Sequence, residues 1–169
     1  MGITNGESHP FVRILVVDDH RVFRATLTDV LRREYPKSDL IETGTIDEAW
    51  LHLRAGPMDV VFVAMRLPDG SGLQLIRELK AAHPTVPAVL LTNEEALEYR
   101  LAAAEHGASH CICKRDMTVE VICAPVQAAL AAKAPPERTR LTPARMATRK
   151  SAGPVGKKKS PRARPPKRT

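Results

Sequence analysis

Three hydrophobic runs in this chain end on side chains that can do chemistry. Phe11-Val-Arg-Ile-Leu-Val-Val17 ends on the acidic pair Asp18 and Asp19, Pro87-Ala-Val-Leu-Leu ends on the hydroxyl of Thr92, and Ser109 to Cys113 ends on the ammonium of Lys114. A fourth run, from Asp59 to Val63, ends on Ala64, ahead of the turn Leu67-Pro-Asp-Gly-Ser-Gly72. Two carboxylates, a hydroxyl and a cation make a pocket suited to a phosphoryl group accepted on a further carboxylate. Alanine has no nucleophilic oxygen, so at Ala64 the acceptor itself is missing.

The elements that position these residues read from periodicity. From His20 to Tyr35 the apolar residues Phe23, Leu27, Val30 and Leu31 fall at helical spacing, and Pro36 stops the helix. Asp39-Leu-Ile-Glu-Thr43 reads as a short strand. Thr45 caps the next helix, with Glu48 completing a capping box and Gly56-Pro57 closing it. Its inner face is Ile46, Ala49, Trp50 and Leu53. Helices follow over Ser71–His83, with Leu75, Ile76 and Leu79 inward, over Glu94–His106, and over Asp116–Ala132. Five strands alternating with five helices imply a parallel sheet covered on both faces. Right-handed crossovers make it a doubly wound sandwich. In such sheets functional groups gather beyond the carboxyl ends of the strands, where Asp18, Asp19, Ala64, Thr92 and Lys114 all fall.

One local conflict stands in the last helix. Pro125 lacks an N–H and its ring meets the carbonyl of Val121, at about 3 kcal/mol in a regular helix. Either the helix kinks there, or it begins near Ala124 with the proline in its first turn.

Charge divides the 169-residue chain in two. Residues 1–132 hold 13 Lys+Arg against 18 Asp+Glu; residues 133–169 hold 13 Lys+Arg against Glu137 alone. The second segment has seven prolines and few sizeable apolar residues, so it reads as a disordered basic tail. Its Lys157, Lys158, Lys159, Arg162, Arg164, Lys167 and Arg168 suit contact with phosphate backbones of DNA or RNA, without an aromatic stacking platform. Residues 1–10 read as a flexible N-terminus with no secretory pattern. No apolar run approaches the roughly 18 residues of a membrane span. Cys111, Cys113 and Cys123 are an odd number, which suits free thiols in a reducing cytoplasm. His110-Cys-Ile-Cys113 with Cys123 invites a metal site, but cysteines alternating on a buried strand read first as small core residues.

The chain from about Phe11 to Ala132 resembles the receiver domain of bacterial two-component response regulators. The residues that carry the resemblance are Val-Val-Asp18-Asp19-His20, Arg66-Leu-Pro-Asp-Gly-Ser-Gly72, Leu-Leu-Thr92 and Gly107-Ala-Ser…Lys114, in order and at the expected strand ends. The resemblance implies a flavodoxin-like (βα)5 sandwich. It also implies an aspartate at the third strand that takes a phosphoryl group from a histidine kinase. Asp18 and Asp19 match the acidic pair that helps bind Mg²⁺, and Arg66 matches the residue whose main-chain carbonyl completes the protein ligands. Thr92 and Lys114 match the phosphoryl contacts. Ala64 falls on the phosphoacceptor, and Cys111 on the aromatic switch three residues before the lysine.

With the acceptor absent, the chain reads as a pseudo-receiver: not an enzyme, and acting by contact with a kinase, another signalling protein or a copy of itself. Mg²⁺ binding is weakened by the lost carboxylate, and Lys114 is free to neutralise the acidic pair directly. Two alternatives stay open. One is a nucleic-acid-binding protein in which the receiver is a scaffold for the tail. The other is a phosphotransfer receiver inactivated by an Asp→Ala substitution. Leu141-Thr-Pro-Ala-Arg145 echoes the opening of the helix-turn-helix output domains that follow many receivers, but no helical periodicity follows it.

Overall fold

A computed structural model describes residues 11–133. The expectations for residues 1–10 and for the tail from residue 134, including its nucleic-acid contact residues 157–168, lie outside the described residues.

The elements are β1 (Arg13–Val17), α1 (Arg21–Glu34), β2 (Asp39–Thr43), α2 (Ile46–Ala55), β3 (Val60–Ala64), β4 (Arg66–Leu67), β5 (Gly70–Ser71), α3 (Gly72–Ala82), β6 (Ala88–Thr92), α4 (Leu97–Glu105), β7 (His110–Cys113) and α5 (Val119–Lys133). The main sheet is parallel throughout, in the order β2-β1-β3-β6-β7. The chain winds outward from β1 to β2, then crosses back to β3. The strand order therefore reverses between β1 and β3, and a crevice opens there at the strands' carboxyl ends. This is the expected flavodoxin-like sandwich.

Alternation along each strand sends side chains to two cores. Ile14, Val16, Phe62, Val89, Leu91 and Ile112 pack with Leu27 and Leu31 of α1 and with Ile122 and Val126 of α5. Leu15, Val17, Val61, Val63 and Leu90 pack with Ala49 and Leu53 of α2 and with Leu75, Ile76 and Leu79 of α3. Every residue of β3 and β6 is buried, which suits strands covered on both faces.

The structure departs from the sequence expectations at several boundaries. Phe11 is exposed and β1 begins only at Arg13. α4 begins at Leu97 rather than Glu94, because the Glu94 N–H donates to Thr92 Oγ1 (3.0 Å) and draws the chain into a turn first. α5 begins at Val119, where Thr118 Oγ1 accepts from the Val121 N–H at 3.3 Å. Pro125 therefore lies inside α5, which excludes a start near Ala124. The proline ring is buried beside Ile122 and Val126, and that burial offsets the missing hydrogen bond. α5 also takes in Lys133, one residue past the expected boundary, and Lys133 ion-pairs with Asp59.

Candidate functional site

An open cleft of about 480 Å³ lies beyond the carboxyl ends of β1, β3, β6 and β7, and Asp19, Ala64, Arg66, Thr92 and Lys114 line it. Asp18 lies beneath, with no solvent exposure. Its Oδ1 accepts the His20 N–H at 2.9 Å, its own N–H donates to the Thr43 carbonyl at 3.0 Å, and its carbonyl accepts from Arg24 Nη1. These contacts lock the start of the β1–α1 loop.

The Lys114 ammonium lies 2.5 Å from Asp18 Oδ2. Among the described residues no aligned hydrogen bond reaches that oxygen, so the contact is an ion pair by proximity and charge. Nζ also sits 4.3 Å from the centroid of the Phe23 ring, a cation–π arrangement. The lysine side chain is 13% exposed. At this depth a lone carboxylate costs several kcal/mol, and the cation beside it offsets part of that cost. Asp19, by contrast, is exposed.

Ala64 ends the central strand and is 2% exposed. The Met65 N–H donates to the Leu91 carbonyl at 2.8 Å, and the Gly72 N–H to the Met65 carbonyl at 2.9 Å. A Cβ on Gly72 would stand 1.9 Å from the Ala64 carbonyl oxygen, so only glycine lets α3 close against β3 here. Between them runs the small antiparallel hairpin β4–β5.

Thr92 is buried. Its hydroxyl accepts the Glu94 N–H and lies 3.8 Å from Met65 Sδ, so here it is a turn-forming group. Its carbonyl accepts the Lys114 N–H at 2.7 Å, which registers the lysine beside the cleft. Cys111 is half-buried on the α2–α3 side of the sheet, where burial pushes its thiol up against the opposing pull of Arg100. Cys123 belongs to the opposite core, so the three cysteines do not share one site.

The residues present do not fit a resident Mg²⁺. Ala64 contributes no oxygen. Asp18 Oδ2 is engaged by an ammonium and Oδ1 by a backbone N–H, which leaves Asp19 and the Arg66 carbonyl as the free protein donors among the matched ligands. A near-octahedral shell of oxygens needs more than that.

Sequence reasoning missed two contributors. Arg24, from α1, donates to the Asp18 carbonyl and pairs with Glu42 at 3.4 Å. Asp69, in the β4–β5 turn, accepts the Ile46 and Asp47 N–H groups through its two oxygens, each at 3.0 Å. It thereby caps α2 from a distance and ties the turn after β3 to the neighbouring helix. The Thr45 cap of α2 is present, with its hydroxyl 3.3 Å from the Glu48 nitrogen. The Glu48 carboxylate reaches the Gly44 N–H rather than closing the box on Thr45.

The family described as the response regulator receiver domain matches residues 14–125, and this chain belongs to it. Among curated relatives, the DNA-binding transcriptional activator DevR/DosR of Mycobacterium tuberculosis is 36% identical over 104 residues, covering 61% of this chain and 48% of that protein. The DNA-binding transcriptional regulator NtrC of Azospirillum brasilense is 30% identical over 123 residues, covering 73% of this chain and 25% of that protein. The chain thus spans half or less of these relatives' length. Among solved structures, the non-phosphorylated HemR receiver domain of Leptospira biflexa aligns with a TM-score of 0.63 at 27% identity, covering 73% of this chain and 98% of that one. A CheY-like receiver domain protein from Methanospirillum hungatei aligns at 0.64 and 19% identity, covering 73% and 96%. Among the described residues no helix is long and apolar enough to cross a membrane.

Proposed function

We propose that this chain is a pseudo-receiver: a cytoplasmic response-regulator domain that has kept the sandwich and lost aspartyl phosphotransfer. Its domain spans residues 11–132, with a basic segment beyond. The reading is carried by Ala64 at the carboxyl end of β3, set against Asp18 and Lys114, which neutralise each other. A cleft with no acceptor, and with its lysine already paired, has no use for a phosphodonor. The domain therefore signals by contact with a histidine kinase, another regulator or a second copy of itself, whatever the phosphorylation state of the system.

The test is phosphorylation by a small acyl phosphate with Mg²⁺, read as a hydroxylamine-labile adduct by mass spectrometry. The unmodified chain is expected to stay unlabelled, and Ala64→Asp to gain label, since Asp19, Lys114 and Thr92 still surround the position. An aspartyl adduct on the unmodified chain would end this reading.

A second reading is favoured by the charge of the tail. Relatives named as DNA-binding regulators carry further chain beyond the matched part, and here the residues that follow α5 are strongly basic. In this reading the receiver is a scaffold and the tail contacts phosphate backbones.

A further inference from the structure

We propose that Glu95, Cys113 and Asp116 form a binding site for a divalent transition-metal cation of the zinc class. The three come from separate segments: Glu95 from the β6–α4 loop, Cys113 from the end of β7, and Asp116 from the β7–α5 turn. One donor atom from each lies within 4.8 Å of the other two. None of the three lines the cleft that holds Ala64 and Lys114.

Local structure explains the convergence. The register of β6 and β7 sets Thr92 opposite Cys113. The bond from the Glu94 N–H to Thr92 Oγ1 then turns the chain, so that Glu95 stays close to that pair. On the other strand the Asp116 N–H donates to the Cys113 carbonyl at 3.1 Å and folds Asp116 back over its own strand end.

Two independent observations point to a ligand. The first is Cys113 itself. It is 7% exposed, its thiol is free, among the described residues it makes no hydrogen bond, and its sulfur is within reach of both carboxylates. The second is that neither Glu95 nor Asp116 has an ion pair among the described residues. Lys114, next to Cys113 in the chain, is engaged by Asp18. Converging carboxylates repel each other, and a cation between them reverses the sign of that interaction.

The donor set selects the class of cation. One thiolate and two carboxylate oxygens suit Zn²⁺ or Co²⁺ with water in the fourth position, whereas Mg²⁺ and Ca²⁺ prefer oxygen alone. Bond lengths of about 2.3 Å to sulfur and about 2.1 Å to oxygen put tetrahedral donors about 3.5 Å apart. The exposed side chains of Glu95 and Asp116 are free to close that distance by rotation. On binding, the Cys113 S–H bond breaks, a sulfur–metal bond forms, and one proton goes to solvent. The cation joins the loop that opens α4 to the turn that opens α5.

The test is a Co²⁺ titration of the full-length chain under reducing conditions, followed by displacement with Zn²⁺. The expected result is a thiolate-to-cobalt charge-transfer band with intense visible bands of tetrahedral cobalt, one proton released per cation, and loss of colour on adding Zn²⁺. Cys113→Ser should remove the charge-transfer band, while Cys111→Ser and Cys123→Ser keep it. Glu95→Gln and Asp116→Asn, at exposed positions that leave the fold intact, should each weaken Co²⁺ binding at least about tenfold. Absence of a charge-transfer band in the unmodified chain overturns the proposal. So does a band that survives Cys113→Ser, or an affinity unchanged in the Glu95→Gln/Asp116→Asn double variant.

Discussion

The Lys114 ammonium and the Asp18 carboxylate meet 2.5 Å apart beneath a strand end that carries alanine. In a receiver with an acceptor aspartate at position 64, the same lysine would have a second anion to serve. Here Asp18 is its one ion-pair partner among the described residues.

Removing one partner of this pair should therefore be costly. Lys114→Met leaves the Asp18 carboxylate buried with no cation and should destabilise the fold by about 3–5 kcal/mol in urea denaturation at neutral pH. Adding Asp18→Asn, which keeps the Oδ1 acceptor for the His20 N–H, should recover most of that loss. A Lys114→Met variant within about 0.5 kcal/mol of the parent would show that the pair does not hold the site together.

Gly72 makes a steric claim that is separate from charge. Gly72→Ala would place its Cβ 1.9 Å from the Ala64 carbonyl oxygen and 3.0 Å from a Val63 methyl group. A backbone oxygen at the end of a fully buried central strand has nowhere to move. The expected loss is about 3 kcal/mol, the upper end for overpacked substitutions, with broadened amide resonances for residues of β3 and early α3. An unchanged denaturation midpoint would mean that α3 can slide away from the strand.

Much of this was legible because it is periodic. The inner faces of α1, α2 and α3 and the five main strands follow from apolar spacing, and the approach of Lys114 to Asp18, though not to Asp19, follows from the placement of strand ends. The hairpin β4–β5 was not, since two-residue strands have no period to read. The starts of α4 and α5 were missed because Thr92 and Thr118 hydroxyls compete locally for backbone N–H groups. The reach of Asp69 to α2 spans more than twenty residues, and the approach of Glu95 to Cys113 depends on β6–β7 register. Neither distance is encoded in any local pattern.

Asp69 gives the chain a pH dependence of predictable sign. Slight burial pushes its carboxyl up, but the backbone N–H groups of Ile46 and Asp47 outweigh this and hold it below the ordinary aspartate range. The depressed folded-state value means that the cap contributes fully above the unfolded value of about 3.9 and is lost as pH falls through the lower folded one. Asp69→Ala should cost about 1 kcal/mol at neutral pH, typical for a lost helix cap. The difference between variant and parent should shrink on acidification below about pH 4. A difference that stays constant from pH 7 to pH 2 would mean that the cap's charge contributes nothing.

The tail carries the last expectation. Residues 134–169 hold 12 Lys+Arg against Glu137, while the domain before them is acidic overall. Any affinity for DNA or RNA should come from the tail, because each phosphate neutralised releases counterions and the acidic domain opposes a polyanion. Binding should weaken steeply with salt and show little sequence preference. The informative truncation removes residues 134–169 and keeps Lys133, whose ion pair with the largely buried Asp59 fastens the end of α5 to the amino end of β3. That truncation should abolish binding without moving the denaturation midpoint. Cutting before Lys133 should lower the midpoint as well, since Asp59 then loses its cation. If the truncated chain binds a mixed-sequence duplex as tightly as the full chain in a fluorescence-anisotropy titration, or if binding ignores salt, the tail is not a nucleic-acid arm and its charge serves only solubility.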